Sequence, residues 1–261
     1  MRIFLINLER RPDRLAAMKA QLDRLGLAFE RFNAVDAKTV DPAELSAPFA
    51  PRGPLGTLSP GDKACTCSHL HLWRRIAAGA ESHAVILEDD ILLSDAAARF
   101  LSSSDWIPKS AGLIKLERYG DENQLIVIGK GCVRVLDREI APLQSRHTGS
   151  GGYVISRETA AALAGMTEKL TLPIDHLLFN PNNSPIFHWL KPWQLLPAIL
   201  DQRVEVGGTT DIHRTREATK PRGWALVKRQ LVRNYYDMRL VPAQIASVLT
   251  GQSRVVKIRL V

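Results

Sequence analysis

The chain has 261 residues, of which 45% are hydrophobic and 24% charged. These values are ordinary for a folded protein and exclude collagen, disordered chains and disulfide scaffolds. No apolar run approaches the ~20 residues that a membrane-spanning helix needs, and the apolar N-terminal stretch is too short and too soon followed by charge to predict a signal peptide. The three cysteines predict reduced thiols in a cytosolic protein, because Cys65 and Cys67 are poorly spaced for a zinc site or a redox motif.

The net charge of +8 is concentrated at the C-terminal end of the chain. After His213 there are 11 Lys or Arg residues against two acidic ones, whereas the rest of the chain is close to neutral. Basic tails bind anionic surfaces such as nucleic acid, phospholipid or phosphorylated glycolipid. The sequence therefore predicts a body at 1–213 and a basic, partly helical extension at 214–261.

The N-terminal part of the chain predicts a strand–helix–strand unit. Apolar residues at 3–8 are typical of a buried strand, those at 11–26 recur at helical spacing, and 29–35 resembles a second strand. Such a unit implies a parallel sheet covered by helices. The stretch 41–62 is rich in Pro and Gly and predicts a loop, which at this length is more often functional than accidental.

The remaining pattern continues the alternation of helices and strands. We expect helices at 63–80, 157–164 and 224–240, and strands at 84–87, 111–116, 124–128 and 153–155. The predicted fold class is α/β, with a mixed, mostly parallel sheet flanked by helices and a basic helical tail.

The sharpest local feature is the triplet Glu88-Asp89-Asp90, which directly follows a buried apolar strand. Carboxylates this close repel one another, so a cation partner is expected. Oxygen ligands suit Mg²⁺ or Mn²⁺, and at the carboxyl end of a strand the metal would face the ligand crevice and could bridge a diphosphate. The alternative is a solvated acidic turn.

Two further segments have both a functional and a purely structural interpretation. His69 and Trp73 share a helix face and could hold a sugar or a base, although a packed aromatic residue with a hydrogen-bonded His is favoured. The glycine-rich turn at 148–153 permits close backbone approach to a ligand, but it lacks the spacing of a phosphate-binding loop.

Two further acidic residues, Asp175 and Asp211, also have both a functional and a structural interpretation. Asp175 could be a general base, although a helix N-cap is favoured for the residue taken in isolation. Asp211 and His213 share one side of an extended stretch and could complete a metal site begun by Glu88 and Asp90, although a surface pair is favoured.

In this order along the chain, the motifs resemble glycosyltransferase family 25, the bacterial lipooligosaccharide galactosyltransferase-like group. The resemblance covers about residues 2–213 and is carried by Ile6-Asn7-Leu8, Arg10-Arg11, Asp13-Arg14, Phe32–Asp36, Leu58–Gly61, Cys65, Ser68-His69, Trp73, Ile86–Asp90, Ile114–Glu117, Gly151–Ser156 and Pro173–His176. Asp62 and Ala64 depart from the family pattern, which has Glu and Gly at these two positions.

The resemblance implies a GT-A-like, Rossmann-like fold and an inverting hexosyltransferase that uses a divalent metal, Mn²⁺ or Mg²⁺. It implies galactose as the sugar, UDP-galactose as the donor and a lipopolysaccharide or lipooligosaccharide glycan as the acceptor. Carried over from the family, Asp90 would be the direct metal ligand, and Glu88 would contact the ribose or a bridging water. Glu88, Asp211 and His213 are the further candidate metal ligands named above. The catalytic base would be Asp175, with Asp89 and Asp211 as alternatives. The residues implied for the nucleotide sugar are Asn7, Arg11, Arg14, Ser68, His69, Glu88, Lys115, Gly151, Gly152 and Tyr153.

Two other functions remain open from the sequence. One is a non-catalytic domain that holds a nucleotide sugar without transferring it. The other is a nucleic-acid-binding protein, for which the basic tail offers charge and aromatic residues but no known motif. The amphipathic pattern at 224–240 better predicts contact with anionic lipid, which would place a cytoplasmic protein on the inner face of the inner membrane. A solvated helix packed on the body is the structural alternative.

Overall fold

The computed structural model describes residues 1–120, 124–202 and 223–261. Its strands are β1 (Arg2–Asn7), β2 (Glu30–Asn33), β3 (His83–Glu88), β4 (Ile91–Leu93), β5 (Leu113–Lys115), β6 (Glu117–Arg118), β7 (Leu125–Gly129), β8 (Val133–Val135), β9 (Arg138–Pro142), β10 (Gly152–Ser156), β11 (Trp193–Leu196), β12 (Leu200–Gln202) and β13 (Ser253–Lys257). Its helices are α1 (Pro12–Arg24), α2 (Pro42–Ser46), α3 (Pro60–Ala77), α4 (Ala97–Leu101), α5 (Arg157–Ala164), α6 (Ile174–Phe179), α7 (Phe187–Leu190), α8 (Trp224–Met238) and α9 (Val241–Leu249).

The main sheet has eight strands in the order β2-β1-β3-β10-β5-β11-β9-β8. β1 pairs in parallel with both β2 and β3, as the predicted strand–helix–strand unit requires. β10 then runs antiparallel to β3 and β5, so the sheet is mixed. Two small sheets, β4-β12-β6 and β13-β7, complete the described part. The predicted α/β class with a mixed sheet flanked by helices is confirmed. The expectation that the sheet is mostly parallel is wrong, because β10 and β9 each run antiparallel to both of their neighbours.

The continuous apolar run of β1 explains why helices cover both faces of this sheet. Phe4 packs into one core, formed with α3 and α5, whereas Leu5 packs into the other, formed with α1 and α4. Successive side chains of a strand point to opposite faces, so a continuous apolar run requires a partner layer on each side. The sheet is thereby buried in its centre and its strand ends are left to form a site.

The start of α3 corrects the predicted boundary of the long loop. The helix begins at Pro60, three residues earlier than expected, because Ser59 and Asp62 form a reciprocal capping box. The Asp62 carboxylate accepts the backbone N–H of Ser59 at 3.2 Å, and the Ser59 hydroxyl accepts the N–H of Asp62 at 3.2 Å. The predicted loop also contains the short helix α2, capped by Asp41.

The C-terminal residues return to the body after α8 and α9. β13, which the sequence analysis did not predict, pairs antiparallel with β7, and Ile258 is buried in the core shared with α3. The Arg138 guanidinium donates to the backbone oxygen of Val261 at 2.6 Å. Within the described residues, no helix is both long and apolar enough to cross a membrane.

Candidate active site

The candidate site lies at one edge of the main sheet, where three neighbouring strands bring polar residues together. Ile6 of β1 is in register with Glu88 of β3, so Asn7 and the acidic triplet leave the sheet side by side. β10 runs in the opposite direction and begins at this edge, and the backbone N–H of Glu88 donates to the oxygen of Gly151 at 2.8 Å. The ends of parallel strands are where open α/β sheets bind ligands.

Asp89 braces the end of β3 against β1 and α1. The Asn7 amide donates to its Oδ2 at 2.7 Å, and Arg14 donates to its Oδ1 at 3.0 Å. Burial raises the pKa of Asp89, and the bonds from Asn7 and Arg14 oppose that rise. Both carboxylate oxygens are therefore already occupied by donors of the protein itself.

Within the triplet, the surroundings of the Asp90 carboxylate favour a bound cation. Burial, followed by the negative charges of Glu88 and Asp89, raises its pKa to about 7 against the opposing charge of Arg14. Its hydrogen bonds come from the Gln202 amide at 3.3 and 3.4 Å, and Gln202 Oε1 is itself buried with no partner within the described residues. The only cationic side chain that the described residues place near Asp90 is Arg14, 3.8 Å away and shared with Asp89. A partly buried carboxylate and a buried amide oxygen without a partner fit a hard divalent cation.

Glu88 is held from the opposite side by α3 and by the glycine-rich turn. Its Oε1 accepts from the Ser150 hydroxyl at 2.6 Å and faces His69 Nε2 at 3.4 Å. Burial raises the pKa of Glu88, but the His69 and Ser150 bonds outweigh burial, so the pKa of Glu88 is lowered. The carboxylate is therefore held as an anion.

Cys65 stands next to this carboxylate. Its Sγ, a ring nitrogen of His69 and a carboxylate oxygen of Glu88 lie within 4.8 Å of one another, a group that could hold a metal ion. Burial, together with the negative charges of Glu88 and Asp175, raises the pKa of the Cys65 thiol well above its usual range. From the sequence, Cys65 was predicted only to be a reduced thiol and part of the family motif. This group was not predicted, because its third member, Glu88, comes from β3.

A buried ion pair holds the glycine-rich turn in place. The Lys115 ammonium donates to Glu117 and, at 2.6 Å, to the backbone oxygen of Gly149, while Glu117 Oε1 accepts the N–H of Gly151 at 3.1 Å. Gly149 has a φ of +95°, and a Cβ on Gly151 would lie 2.6 Å from a Glu117 oxygen. The turn therefore needs glycine at both positions, and the ion pair aims Ser150 at Glu88.

Several residues predicted to bind the nucleotide sugar lie behind the site surface. Asn7, Ser68, His69, Lys115 and Tyr153 are each at most 1% exposed. The Ser68 hydroxyl, for example, donates to a backbone oxygen of its own helix at 2.8 Å. In this structure these side chains contact other protein groups and support the residues in front of them.

The other predicted site residues are placed as follows. Arg11 pairs with Asp13 at 2.8 Å, and Arg14 lies between Asp89 and Asp90. Asp175 is in the first turn of α6 but is not its N-cap, which is Pro173, so the expected cap is wrong. Asp211 and His213 lie outside the described residues.

Four residues of this cluster were not predicted from the sequence as site residues: Cys65, Glu117, Ser150 and Gln202. Glu117 could have been found, because Lys115 and Glu117 are two apart on an extended stretch and therefore share a side. Ser150 stood within the glycine-rich turn already singled out. Gln202 had no sequence signal, because its contact with Asp90 joins distant parts of the chain.

Comparisons with known proteins agree on one family. The profile described as "Glycosyltransferase family 25 (LPS biosynthesis protein)" matches residues 1–178. The lipooligosaccharide biosynthesis protein lic2B of Haemophilus influenzae is 27% identical over 193 residues, which are 70% of this chain and 71% of lic2B. The lacto-N-neotetraose biosynthesis glycosyltransferase LgtB of Neisseria meningitidis is 29% identical over 157 residues, which are 56% of this chain and only about half, 54%, of LgtB.

Solved structures give weaker likenesses. A glycosyltransferase involved in glycosylation of the major capsid of PBCV-1 aligns with a TM-score of 0.36 at 9% identity, covering 83% of this chain and 96% of that one. Glucosyl-3-phosphoglycerate synthase from Mycobacterium tuberculosis, in complex with Mn²⁺ and UDP-glucose, aligns with a TM-score of 0.33 at 14% identity, covering 99% and 87%. At these scores the alignments carry no argument about the site.

Proposed function

The chain belongs to glycosyltransferase family 25, and on that basis we propose that it is an inverting, metal-dependent hexosyltransferase that moves galactose from UDP-galactose to a lipopolysaccharide or lipooligosaccharide glycan. The observation that carries the proposal is the partly buried Asp90 carboxylate beside Glu88 at the carboxyl end of β3, where desolvation and like charge raise the pKa of Asp90 to about 7. That environment supports a bound cation and a diphosphate ligand.

The metal would be held by Asp90, with Glu88 in contact with the donor or with a bridging water. A divalent cation at this position, Mn²⁺ or Mg²⁺, would neutralise the charge that develops on the leaving diphosphate. Asp89 keeps Asn7 and Arg14 in place and so fixes the backbone of the triplet. The sugar would lie toward α3, α6 and the glycine-rich turn.

The acceptor hydroxyl needs a base, and we assign that role to Asp175. Its oxygen would take the proton as the hydroxyl oxygen bonds to the anomeric carbon and the bond from that carbon to the diphosphate breaks. Asp175 is close enough to the site for its charge to contribute to the raised pKa of Cys65. Asp89 is the alternative base that lies within the described residues, and both of its carboxylate oxygens accept hydrogen bonds from Asn7 and Arg14.

A donor screen tests the proposal. Protein with Mn²⁺ is incubated with each common UDP-, GDP- and CMP-sugar, and the released nucleotide is measured. We expect slow release from UDP-galactose alone, and a rate about a hundredfold lower for Asp90→Asn, because the amide keeps the volume but loses the charge that holds the cation.

The control for the screen is Asp95→Asn, since Asp95 is 86% exposed and pairs with Arg24. Release from another sugar nucleotide would contradict the galactose assignment. Retained UDP binding without release from any donor, even with lipooligosaccharide acceptor present, would favour a non-catalytic binding domain.

We further propose that α8 and α9 bring the protein to an anionic membrane surface, on the cytoplasmic face of the inner membrane. Trp224, Leu231, Tyr235 and Met238 are each more than 60% exposed, and their spacing places them on one face of α8. Exposed apolar patches of this kind mark interaction sites. The surrounding basic composition is what favours anionic lipid.

Vesicle flotation tests the membrane contact. We expect the double variant Trp224→Ser/Leu231→Ser to lower the partition coefficient onto anionic vesicles by at least about tenfold, because each lost apolar side chain contributes about 1.5–3 kcal/mol when buried. Trp189→Ser is the matched control, since Trp189 is 48% exposed on α7 instead. Equal flotation of the double variant and the control would refute this proposal.

A further inference from the structure

We propose that Trp73, Tyr153 and His69 form a one-directional hydrogen-bond chain that fixes the neutral Nε2–H tautomer of His69 and positions Glu88. Tyr153 and His69 are then positioning residues, which act on the reaction through Glu88. The effect on catalysis rests on the proposed function, because it requires that Glu88 contacts the sugar donor. The tautomer of His69 does not depend on the proposed function.

The direction of the chain follows from what each group can donate. The indole N–H of Trp73 is only a donor, and it lies 2.9 Å from the Tyr153 hydroxyl oxygen, which therefore accepts. The Tyr153 O–H proton needs an acceptor of its own, and His69 Nδ1 lies 2.7 Å away. All three side chains are fully buried, and buried hydroxyls are almost always paired.

This direction settles where the imidazole proton is. If Nδ1 accepts from Tyr153, the neutral ring carries its proton on Nε2. Nε2 faces Glu88 Oε1 at 3.4 Å, and the Ser150 hydroxyl donates to the same oxygen at 2.6 Å. Oε1 thus receives two protein donors. Within the part of the chain that the structure describes, Oε2 receives none and is left for a ligand.

The hydrogen-bond donors and acceptors around Tyr153 also argue against a metal ion bound by Cys65, His69 and Glu88. A cation on Nε2 would move the imidazole proton to Nδ1, so that both Trp73 and His69 would donate to the Tyr153 oxygen. The Tyr153 O–H would then have no acceptor among the described residues. A buried donor without a partner is costly, so the hydrogen bonds favour the chain over the cation.

The test is ¹⁵N NMR of the full chain with labelled histidine, in which two-bond nitrogen–proton correlations distinguish the tautomers. The His69 signals are assigned by their absence in His69→Gln. We expect the Nε2–H pattern in the unaltered protein, and loss of that single tautomer in Tyr153→Phe, which keeps the ring and removes the proton donor. Tyr236→Phe is the matched control and should leave the His69 signals unchanged.

The second measurement is the steady-state kinetics of sugar transfer by Tyr153→Phe. We expect Tyr153→Phe to raise the KM for the donor about tenfold while kcat stays within about twofold, because the loss of one ordered hydrogen bond loosens a ground-state contact. An unchanged KM with the tautomer lost would overturn the positioning role. The tautomer result stands even if no donor is turned over, so failure of the chain and failure of the proposed function are distinguishable.

A metal ion is the alternative outcome. Co²⁺ is added to the protein as the probe, and a thiolate-to-cobalt charge-transfer band that disappears in Cys65→Ser would overturn the chain. An Nδ1–H pattern in the unaltered protein would do the same without any substitution.

Discussion

Asp175→Asn is expected to lower kcat for sugar transfer by about 10²–10⁴-fold, the contribution typical of a general base, while the Kd for UDP changes less than about twofold. The amide has the same shape but cannot take the proton of the acceptor hydroxyl. Asp175 is half-buried in the first turn of α6, so the substitution leaves no unpaired charge in the core. Single-turnover transfer from the donor and UDP titration measure the two quantities.

The control for Asp175 is Asp137→Asn, which changes an exposed carboxylate between β8 and β9 that faces Arg99. We expect it to transfer sugar at the unaltered rate. If Asp175→Asn also kept its kcat, the base would have to be sought elsewhere. If it lost UDP binding and kcat together, Asp175 would be a binding residue, because a base acts after the donor is bound.

Lys115→Met is expected to lower the free energy of unfolding by about 3–5 kcal/mol, because it leaves the buried Glu117 carboxylate without its cation. Burial raises the pKa of Glu117 to about 7 and lowers that of Lys115, while each charge opposes the shift of the other. The Lys115 ammonium also lies 4.4 Å from the Phe179 ring centroid and bonds to Gly149. Urea unfolding at pH 8, where Glu117 without its partner is most costly to bury as an anion, measures the loss.

Two variants define the origin of that loss. Lys115→Met combined with Glu117→Gln is expected to recover most of it, since a neutral amide still accepts the Gly151 N–H and needs no cation. Lys19→Met removes one member of an exposed pair with Asp23 and should change stability by no more than about 0.5 kcal/mol. A double variant as unstable as Lys115→Met alone would mean that the lysine contributes through packing and not through charge.

The first elements of the fold were predictable because their signals are local. The apolar run of β1, the helical spacing of α1 and the return to β2 are each visible within one segment of sequence, and the structure places all three nearly as expected. The acidic triplet was predictable in the same way, since three carboxylates after an apolar strand occupy the end of that strand in any α/β sheet.

The contacts of Lys115 and the position of Asp175 within its helix were not predictable at the same level. A lysine in an apolar strand can face a ligand or a buried acid, and only the pairing of Tyr153 with Lys115 across β10 and β5 places its ammonium under the glycine-rich turn. The expected cap at Asp175 failed because the preceding Pro173 already occupies the N-cap position.

The sequence alone determined the family, the α/β class and the presence of carboxylates at the end of β3, because these depend on residue order and local periodicity. The tertiary structure decided which polar side chains face the site and which are used to support it, because that depends on contacts between distant segments. Lys115, Tyr153 and His69 were predicted as ligand contacts and lie instead in the buried layer behind Glu88. Their burial depends on how β5, β10 and α3 pack together, which no single segment of sequence specifies.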